Sequence, residues 1–158
     1  MVSQSITNYD KNLECVVSGV NECKKPMKLE GIGILGAINL YNLLGNGEQL
    51  TFKTGREASA CIGLTPIQHS SGGQVKIGSI GRFVRNTAVR SYLIVGAMSA
   101  INQIMIRPAK TKKELWIKQL VDRKGKRCAA VALANKNVRT VFAMLTQDTN
   151  YTLQPLTA

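Results

Sequence analysis

The stretch Leu29-Glu30-Gly31-Ile32-Gly33 lies between two segments that have the composition of short helices. Glycine has no Cβ, so two glycines within five residues let the backbone turn tightly. Apolar residues at helical spacing follow until Gly45-Asn46-Gly47, a typical helix end. They predict an inner face formed by Ile34, Ala37, Ile38 and Tyr41. We therefore predict a helix-hairpin-helix over about residues 24–45.

Gly31 and Gly33 allow two interpretations. A helix-hairpin-helix binds DNA when the uncovered N–H groups of its second helix, aided by the helix dipole, meet a phosphate oxygen. Such a contact does not read the base sequence. The same glycines are equally compatible with a plain turn between core helices.

A second glycine-containing stretch, His69-Ser70-Ser71-Gly72-Gly73, is followed by the cations Lys76, Arg82, Arg85 and Arg90. Accessible hydroxyls beside bare peptide groups and cations favour a phosphate ligand. Pro66 and the glycines predict an irregular loop over residues 64–80. An ordinary Ser/Gly loop is the alternative. The chain has no Gly-x-Ser-x-Gly elbow and no P-loop, which argues against acyl transfer and against nucleotide hydrolysis of the P-loop type.

Positive charge is concentrated in one part of the chain. The net charge of +12 arises mainly in residues 51–139, which contain seventeen basic and three acidic residues, whereas residues 1–50 contain four and five. Such a surface attracts polyanions, and nucleic acid is the commonest polyanionic partner. A solvated basic surface is the alternative.

Cysteine spacing and hydropathy point to an intracellular chain. The four cysteines lack metal-binding spacing and there is one histidine, so we predict reduced thiols and no metal site. The acidic residues are scattered. No signal sequence and no apolar run of membrane-spanning length is recognised, which predicts a cytoplasmic protein without a membrane partner.

Helical periodicity covers most of the remaining chain. Residues 1–7 are expected to be frayed, and helices are predicted over about 8–22, 54–62, 87–104, 111–120 and 127–145. Thr111 and Glu114 have the spacing of a capping box. Trp116 is interpreted as a core residue rather than a base-stacking platform, and Arg123–Arg127 as a solvated basic turn. The segment 152–158 is expected to be a loose tail.

Three segments together resemble one group of bacterial insertion-sequence transposases. They are Ile62–Gly73, Leu29–Ala37, and Ala129–Lys136 with the residues that follow to Leu145. The resemblance is to the C-terminal domain of the DEDD-type enzymes of the insertion sequence one-ten family, which are relatives of the Piv invertase. It implies a transposase C-terminal domain over residues 24–151, preceded by the end of a helical linker over 1–23.

The resemblance also implies a chemistry. In that family a RuvC-like domain, expected to be missing from this chain, holds Mg²⁺, and a serine directly before the loop glycine attacks the DNA. The serine corresponds to Ser71, with Ser70 as the alternate. DNA, a structured guide RNA, and either a second copy or a chain that carries the RuvC-like domain are the implied partners. A truncated or split transposase is therefore expected.

The complete expectation is a mainly α fold, in which a helix-hairpin-helix precedes a small helical domain with a long Gly/Ser loop. For the function, two hypotheses remain. In the first, Ser71 is a nucleophile, and Gly31, Gly33, Gly72, Gly73 and the four cations bind DNA. In the second, the chain is a non-catalytic module that binds DNA or RNA.

Overall fold

Two long helices organise the core of the chain, of which the computed structural model describes residues 2–45, 52–71, 73–81 and 87–156. Helix α5 (Thr87–Ile106) packs along α6 (Lys112–Thr146). The buried positions of α5 are Val89, Leu93, Ala97, Ile101 and Ile104, which recur every three or four residues. On α6 the buried residues include Ala129, Ala130, Leu133 and Ala134, whose small members permit close approach. The mainly α fold is confirmed.

The predicted helical hairpin precedes this pair. Helix α2 (Asn21–Lys24) continues into a 3-10 turn (Lys25–Lys28), and α3 (Ile34–Leu44) follows the glycine-containing turn. The predicted inner face of α3 is rotated, because Gly36, Ala37, Leu40 and Leu44 are buried whereas Ile34, Ile38 and Tyr41 are half-buried. Since α3 is apolar on almost every side, periodicity alone does not select one face.

The segment predicted as an irregular Gly/Ser loop is a β-hairpin. Strands β1 (Pro66–Ser71) and β2 (Gln74–Ile80) pair antiparallel, with a register irregularity between Pro66 and Gln68. Pro66 is tolerated because it is the first residue of its strand. Strand β1 ends at Ser71 and β2 begins at Gln74, a separation that is typical of tight hairpins.

The capping box at the start of α6 is confirmed. The Thr111 hydroxyl accepts a hydrogen bond from the Glu114 amide at 3.1 Å. The Glu114 carboxylate accepts hydrogen bonds from both Arg107 terminal nitrogens, at 3.1 and 2.7 Å, and from the Lys110 amide at 2.6 Å. These contacts fix the corner between α5 and α6. The short α4 (Gly55–Cys61) has the same arrangement, with Thr54 and Glu57.

Both ends of the chain are more ordered than the sequence suggests. Helix α1 (Val2–Gly19) begins six residues before its predicted start at Asn8, although Val2 and Ile6 on its added turns are exposed. Near the other end, Pro155 pairs with Thr111, and the Lys112 and Leu156 amides donate to the Gln154 and Lys110 carbonyls. The segment 152–156, expected to be loose, is therefore docked on the start of α6.

Two further observations concern helices. The predicted basic turn Arg123–Arg127 lies inside the range of α6, and the helix is broken there, because Gly125 has the non-helical angles φ 81° and ψ 164°. In the described part of the chain, α5 is long and apolar enough to cross a membrane by length and composition, contrary to the prediction. Those two criteria do not distinguish a membrane span from a core helix, and α5 packs on α3 and α6.

Candidate nucleic-acid interface

The β-hairpin places the predicted nucleophile at its turn. Ser71 is the last residue of β1 and pairs with Gln74, while Ser70 pairs with Val75. For both serines the structure describes the backbone. Gly73 follows with φ 83°, and a Cβ built on it would meet nothing within 4 Å. Glycine is therefore required there for its backbone angle and not for lack of space.

The distal part of this hairpin is open to solvent. Its exposed residues are Gln68, His69, Gln74, Lys76, Ile77 and Ser79. His69 pairs with Lys76, and a Cβ built on Gly78 would lie 3.6 Å from His69 Nε2. The imidazole therefore lies across the opposite strand, beside the predicted phosphate ligand Lys76. A solvent-exposed two-stranded ribbon has little intrinsic stability of its own.

Of the other predicted phosphate ligands in this region, Gly72, Arg82 and Arg85 lie outside the described residues. Arg90 is half-buried at the start of α5, and its Nε donates to the Gly63 carbonyl at 3.2 Å. Its guanidinium lies against Gly81, where a built Cβ would come within 2.5 Å of Cζ. Arg90 thus joins α5 to the segments that enter and leave the β-hairpin.

The turn of the helical hairpin uses its two glycines differently. Gly31 has φ 84°, and a Cβ on it would lie 2.8 Å from the Gly96 carbonyl oxygen of α5. Gly33 is exposed and begins α3 without a capping side chain, and a Cβ there would meet nothing within 4 Å. Gly31 therefore sets the packing of the turn, while Gly33 leaves the first N–H groups of α3 open to a ligand.

A buried polar cluster, which the sequence analysis did not identify, fixes this turn on α6. Lys113 Nζ contacts a Glu30 carboxylate oxygen at 2.6 Å and Asn137 Oδ1 at 3.0 Å. Asn137 Nδ2 donates to the Glu30 carbonyl at 2.8 Å. Desolvation lowers the pKa of Lys113, although Glu30 opposes the shift. A Lys or Glu on a helix is usually solvated, so nothing local in the sequence indicates this partnership.

Tyr151 closes the cluster from the C-terminal side. Lys113 Nζ lies 5.1 Å from the centroid of its ring, within cation–π range. Burial, with a smaller contribution from Glu30, raises the pKa of Tyr151 to about 12. The helical hairpin, α6 and the C-terminal segment therefore meet at one point.

The described residues provide no evident metal centre. Within ranges 2–45, 52–71, 73–81 and 87–156, no three His, Cys, Asp or Glu side chains form a group that could hold an ion. Cys15, Cys61 and Cys128 are exposed, Cys23 is buried, and all four are free thiols.

The described part of the chain thus combines a helical hairpin, a β-hairpin that carries Ser70 and Ser71, and a helical body. Residues 23–113 match the family model described as Transposase IS116/IS110/IS902 family, and the chain belongs to this family. The matched range extends from α2 through the β-hairpin to the first turn of α6.

Two relatives show how far the similarity extends. The transposase for insertion sequence element IS1111A of Coxiella burnetii is 35% identical over 148 residues, which cover 94% of this chain and 39% of that protein. A probable family 20 transposase of Pseudomonas aeruginosa is 33% identical over 146 residues, or 92% of this chain and 42% of the relative. The chain thus spans about two fifths of the length of these relatives.

Proposed function

We propose that this chain is the DNA-binding part of a transposase of this family and that Ser71 is its nucleophile. The position of Ser71 at the exposed turn of the β-hairpin is the observation that supports this role most directly. A substrate as wide as a DNA duplex can reach a turn that projects from the helical body, whereas it could not reach a serine inside the core. The family membership supports transposition as the process.

The proposed step is a phosphoryl transfer. The Ser71 oxygen forms a bond to the scissile phosphorus, the bond from phosphorus to the 3′ oxygen breaks, and the strand end remains as a phosphoserine ester. The serine proton passes to a base, and the leaving 3′ oxygen gains a proton. Because the ester retains the energy of the phosphodiester, rejoining requires no external energy source.

Cations near the turn would stabilise the charge that develops on the phosphate oxygens. Lys76 is exposed on β2 three positions after Gly73, and the high net charge of the chain would attract DNA at long range. Arg82, Arg85 and Arg90 complete the proposed set. Salt-sensitive affinity follows from this arrangement, because each phosphate contact releases counterions.

The DEDD class implies Mg²⁺ held by acidic residues. The described residues of this chain contain no carboxylate cluster that fits such an ion, so we assign no metal ligand here and derive no step through one. A separate chain with an acidic domain is the proposed source of those ligands, and a second copy of this chain is a further proposed partner. DNA is the proposed principal partner, and a structured RNA is a further one.

A suicide substrate tests the serine. DNA nicked near the element end should form a covalent protein–DNA adduct, stable in denaturant, when the chain is supplied with the acidic domain of a relative. The adduct should disappear in Ser71→Ala and persist in Ser70→Ala. An adduct that persists in Ser71→Ala would exclude this residue as the nucleophile.

The alternative is a non-catalytic module that binds nucleic acid through the helical hairpin. The open N-terminus of α3 at Gly33 favours it. Gly33→Ser places a hydroxyl where it can cap α3, so stability should stay equal or rise by a few tenths of a kcal/mol while duplex affinity falls several-fold. Gly19→Ser, at another open glycine, is the matched control. Unchanged affinity of Gly33→Ser would remove the hairpin from the interface.

A further inference from the structure

A groove of about 550 Å³ lies between the base of the β-hairpin and α6. On one side are Leu64 and the cross-strand pair Pro66 and Ile80, and on the other are Trp116 and Val131 of α6. The groove therefore opens where the strands join the helical body. Its size is within the range of small-ligand pockets, roughly 300–1,000 Å³.

Cations surround this apolar groove. Arg127, Lys136 and Arg139 line it, and its lining contains no carboxylate. Within the described residues, none of the three forms a salt bridge. Lys136 Nζ lies 5.1 Å from the centroid of the Trp116 ring. A slot with an aromatic wall and a cationic rim complements a flat ring attached to an anion, which is the chemistry of a nucleotide.

Asn135 gives the groove one oriented polar group. Its Nδ2 donates to the Leu64 carbonyl at 3.1 Å. Since a carbonyl accepts only from the nitrogen of a carboxamide, this bond fixes which end of the amide is which. The Oδ1 atom remains as an acceptor for an N–H group on the edge of a base.

A second concavity continues the cationic surface. It has a volume of about 640 Å³, it is lined by Arg56, Thr140 and Phe142, and it shares Lys136 and Arg139 with the groove. Arg56, like the others, forms no salt bridge in the described part of the chain. A row of cations extending away from the groove fits a strand of linked phosphates better than a free nucleotide.

We propose that the groove receives one unpaired nucleotide of a nucleic-acid strand, with its base against Trp116 and its flanking phosphates at Arg127, Lys136 and Arg139. The inference rests on the proposed nucleic-acid binding and adds a base site to it. Pro66 and Ser71 are five residues apart on β1, or about 17 Å at 3.3 Å per residue. The unpaired nucleotide would therefore lie within about five nucleotides of the phosphate at Ser71, at about 3.4 Å per step.

Filling the groove tests the proposal with the full chain. Ala132 lines it, so Ala132→Trp should occupy the base site without removing any contact, and Ala60→Trp, at an exposed position of α4, is the control of equal size. Fluorescence anisotropy would measure the binding of labelled single strands and of a blunt duplex of the same sequence. The single strands should bind Ala132→Trp about 10- to 100-fold more weakly, and the duplex should bind it as before.

Two arginine variants, one inside the groove and one outside it, provide a second measurement. Arg127→Gln should weaken single-strand binding and reduce the salt slope by about 0.7. Arg123→Gln removes the same charge four residues earlier, before the break at Gly125, at an exposed residue outside the groove, and should leave the slope unchanged. This comparison holds even if Ala132→Trp does not fold, which circular dichroism would reveal.

The outcomes separate the two proposals. Single strands that bind folded Ala132→Trp normally, or equal slopes for the two arginine variants, would overturn the base site while leaving DNA binding intact. If the unaltered chain binds neither strand nor duplex in a salt-sensitive manner, the proposed function itself fails. Loss of affinity for the DNA strand, the RNA strand or both supports the site, and the larger loss identifies which nucleic acid supplies the nucleotide.

Discussion

Gly31 and Gly96 bring the main chains of the hairpin turn and α5 into direct contact. A Cβ built on Gly96 would lie 2.1 Å from the Gly31 carbonyl oxygen, far inside the contact distance. Gly36, on the neighbouring helix, has only ordinary contacts at 3.5 Å or more. These two helical glycines therefore have opposite tolerances for a methyl group.

Gly96→Ala should lower the free energy of unfolding by about 1–3 kcal/mol, because relieving the overlap separates the turn from α5. Gly36→Ala should leave stability equal or raise it by up to about 1 kcal/mol, since alanine restricts the unfolded chain and favours helix. Urea denaturation of both variants would measure the difference. Equal stabilities would contradict the close approach.

Tyr151 makes stability dependent on alkaline pH. Its pKa is raised by burial to about 12 in the folded chain, from an ordinary value of 10.0. Its contribution is fully present below pH 10 and is lost as the pH rises from about 10 to about 12. Tyr151→Phe lacks this proton, so thermal melts across that range should show a smaller loss for the variant. The neighbours Lys113 and Glu30 are present in both proteins, so the comparison isolates the phenol.

At the scale of elements, the corner between α5 and α6 depends on one carboxylate. Glu114→Gln keeps the backbone cap on Thr111 but loses the charged contact with Arg107, and should cost about 1–2 kcal/mol at neutral pH. Glu57→Gln alters the same arrangement on the exposed α4 and should cost less. Chemical denaturation of the two variants would show which substitution lowers the free energy of unfolding more.

Lowering the pH should remove the difference in stability between the unaltered chain and Glu114→Gln. The hydrogen bond from Arg107 holds the pKa of Glu114 below its usual range. A depressed carboxyl pKa contributes stability above the unfolded value of 4.5, and this stability is lost as the pH falls through the folded value. The gap between the unaltered chain and Glu114→Gln should therefore narrow below pH 4.5. A constant gap down to pH 3 would show that the charge of Glu114 does not contribute.

Several elements could be predicted from local sequence patterns, whereas the β-hairpin was not predicted. The α6 cap followed from the spacing of Thr111 and Glu114, and the α5 stripe from its apolar period. The irregular loop predicted over residues 64–80 rests on Pro66 and the glycines alone and does not take into account the alternation of Val75 and Ile77. Two residues, Gly72-Gly73, between a polar strand and an alternating one are the signal that would have predicted a hairpin.

The candidate site likewise has one part that the sequence predicts and another that only the fold reveals. Ser71 and the glycine-containing turn are adjacent in the sequence, so their proximity could be predicted without knowledge of the fold. The groove combines residues 64–66, 80, 116 and 127–139, which only the packing of the hairpin on α6 brings together. The Glu30 and Lys113 contact likewise joins positions far apart in sequence, and a single sequence carries no local sign of such pairs.

For the whole molecule, the C-terminal segment belongs to the fold. Tyr151, Thr152 and Gln154 line a concavity together with Trp116, the one tryptophan of the chain. Removal of residues 150–158 should shift Trp116 emission to longer wavelength and lower the melting temperature, because the indole and Lys113 gain water. Removal of residues 157–158 alone is the control. Unchanged emission after the longer deletion would show that the segment does not cover the indole.

The glycine joint between the hairpin turn and α5 has a consequence for any protein engineered from this scaffold. Where peptide groups meet directly, no side-chain volume sets the spacing, so neighbouring core residues can be exchanged while the start of α3 keeps its orientation. A binding surface grafted onto the start of α3 would therefore have a fixed orientation. The same joint leaves a designer no freedom at positions 31 and 96, where every residue other than glycine would open the gap.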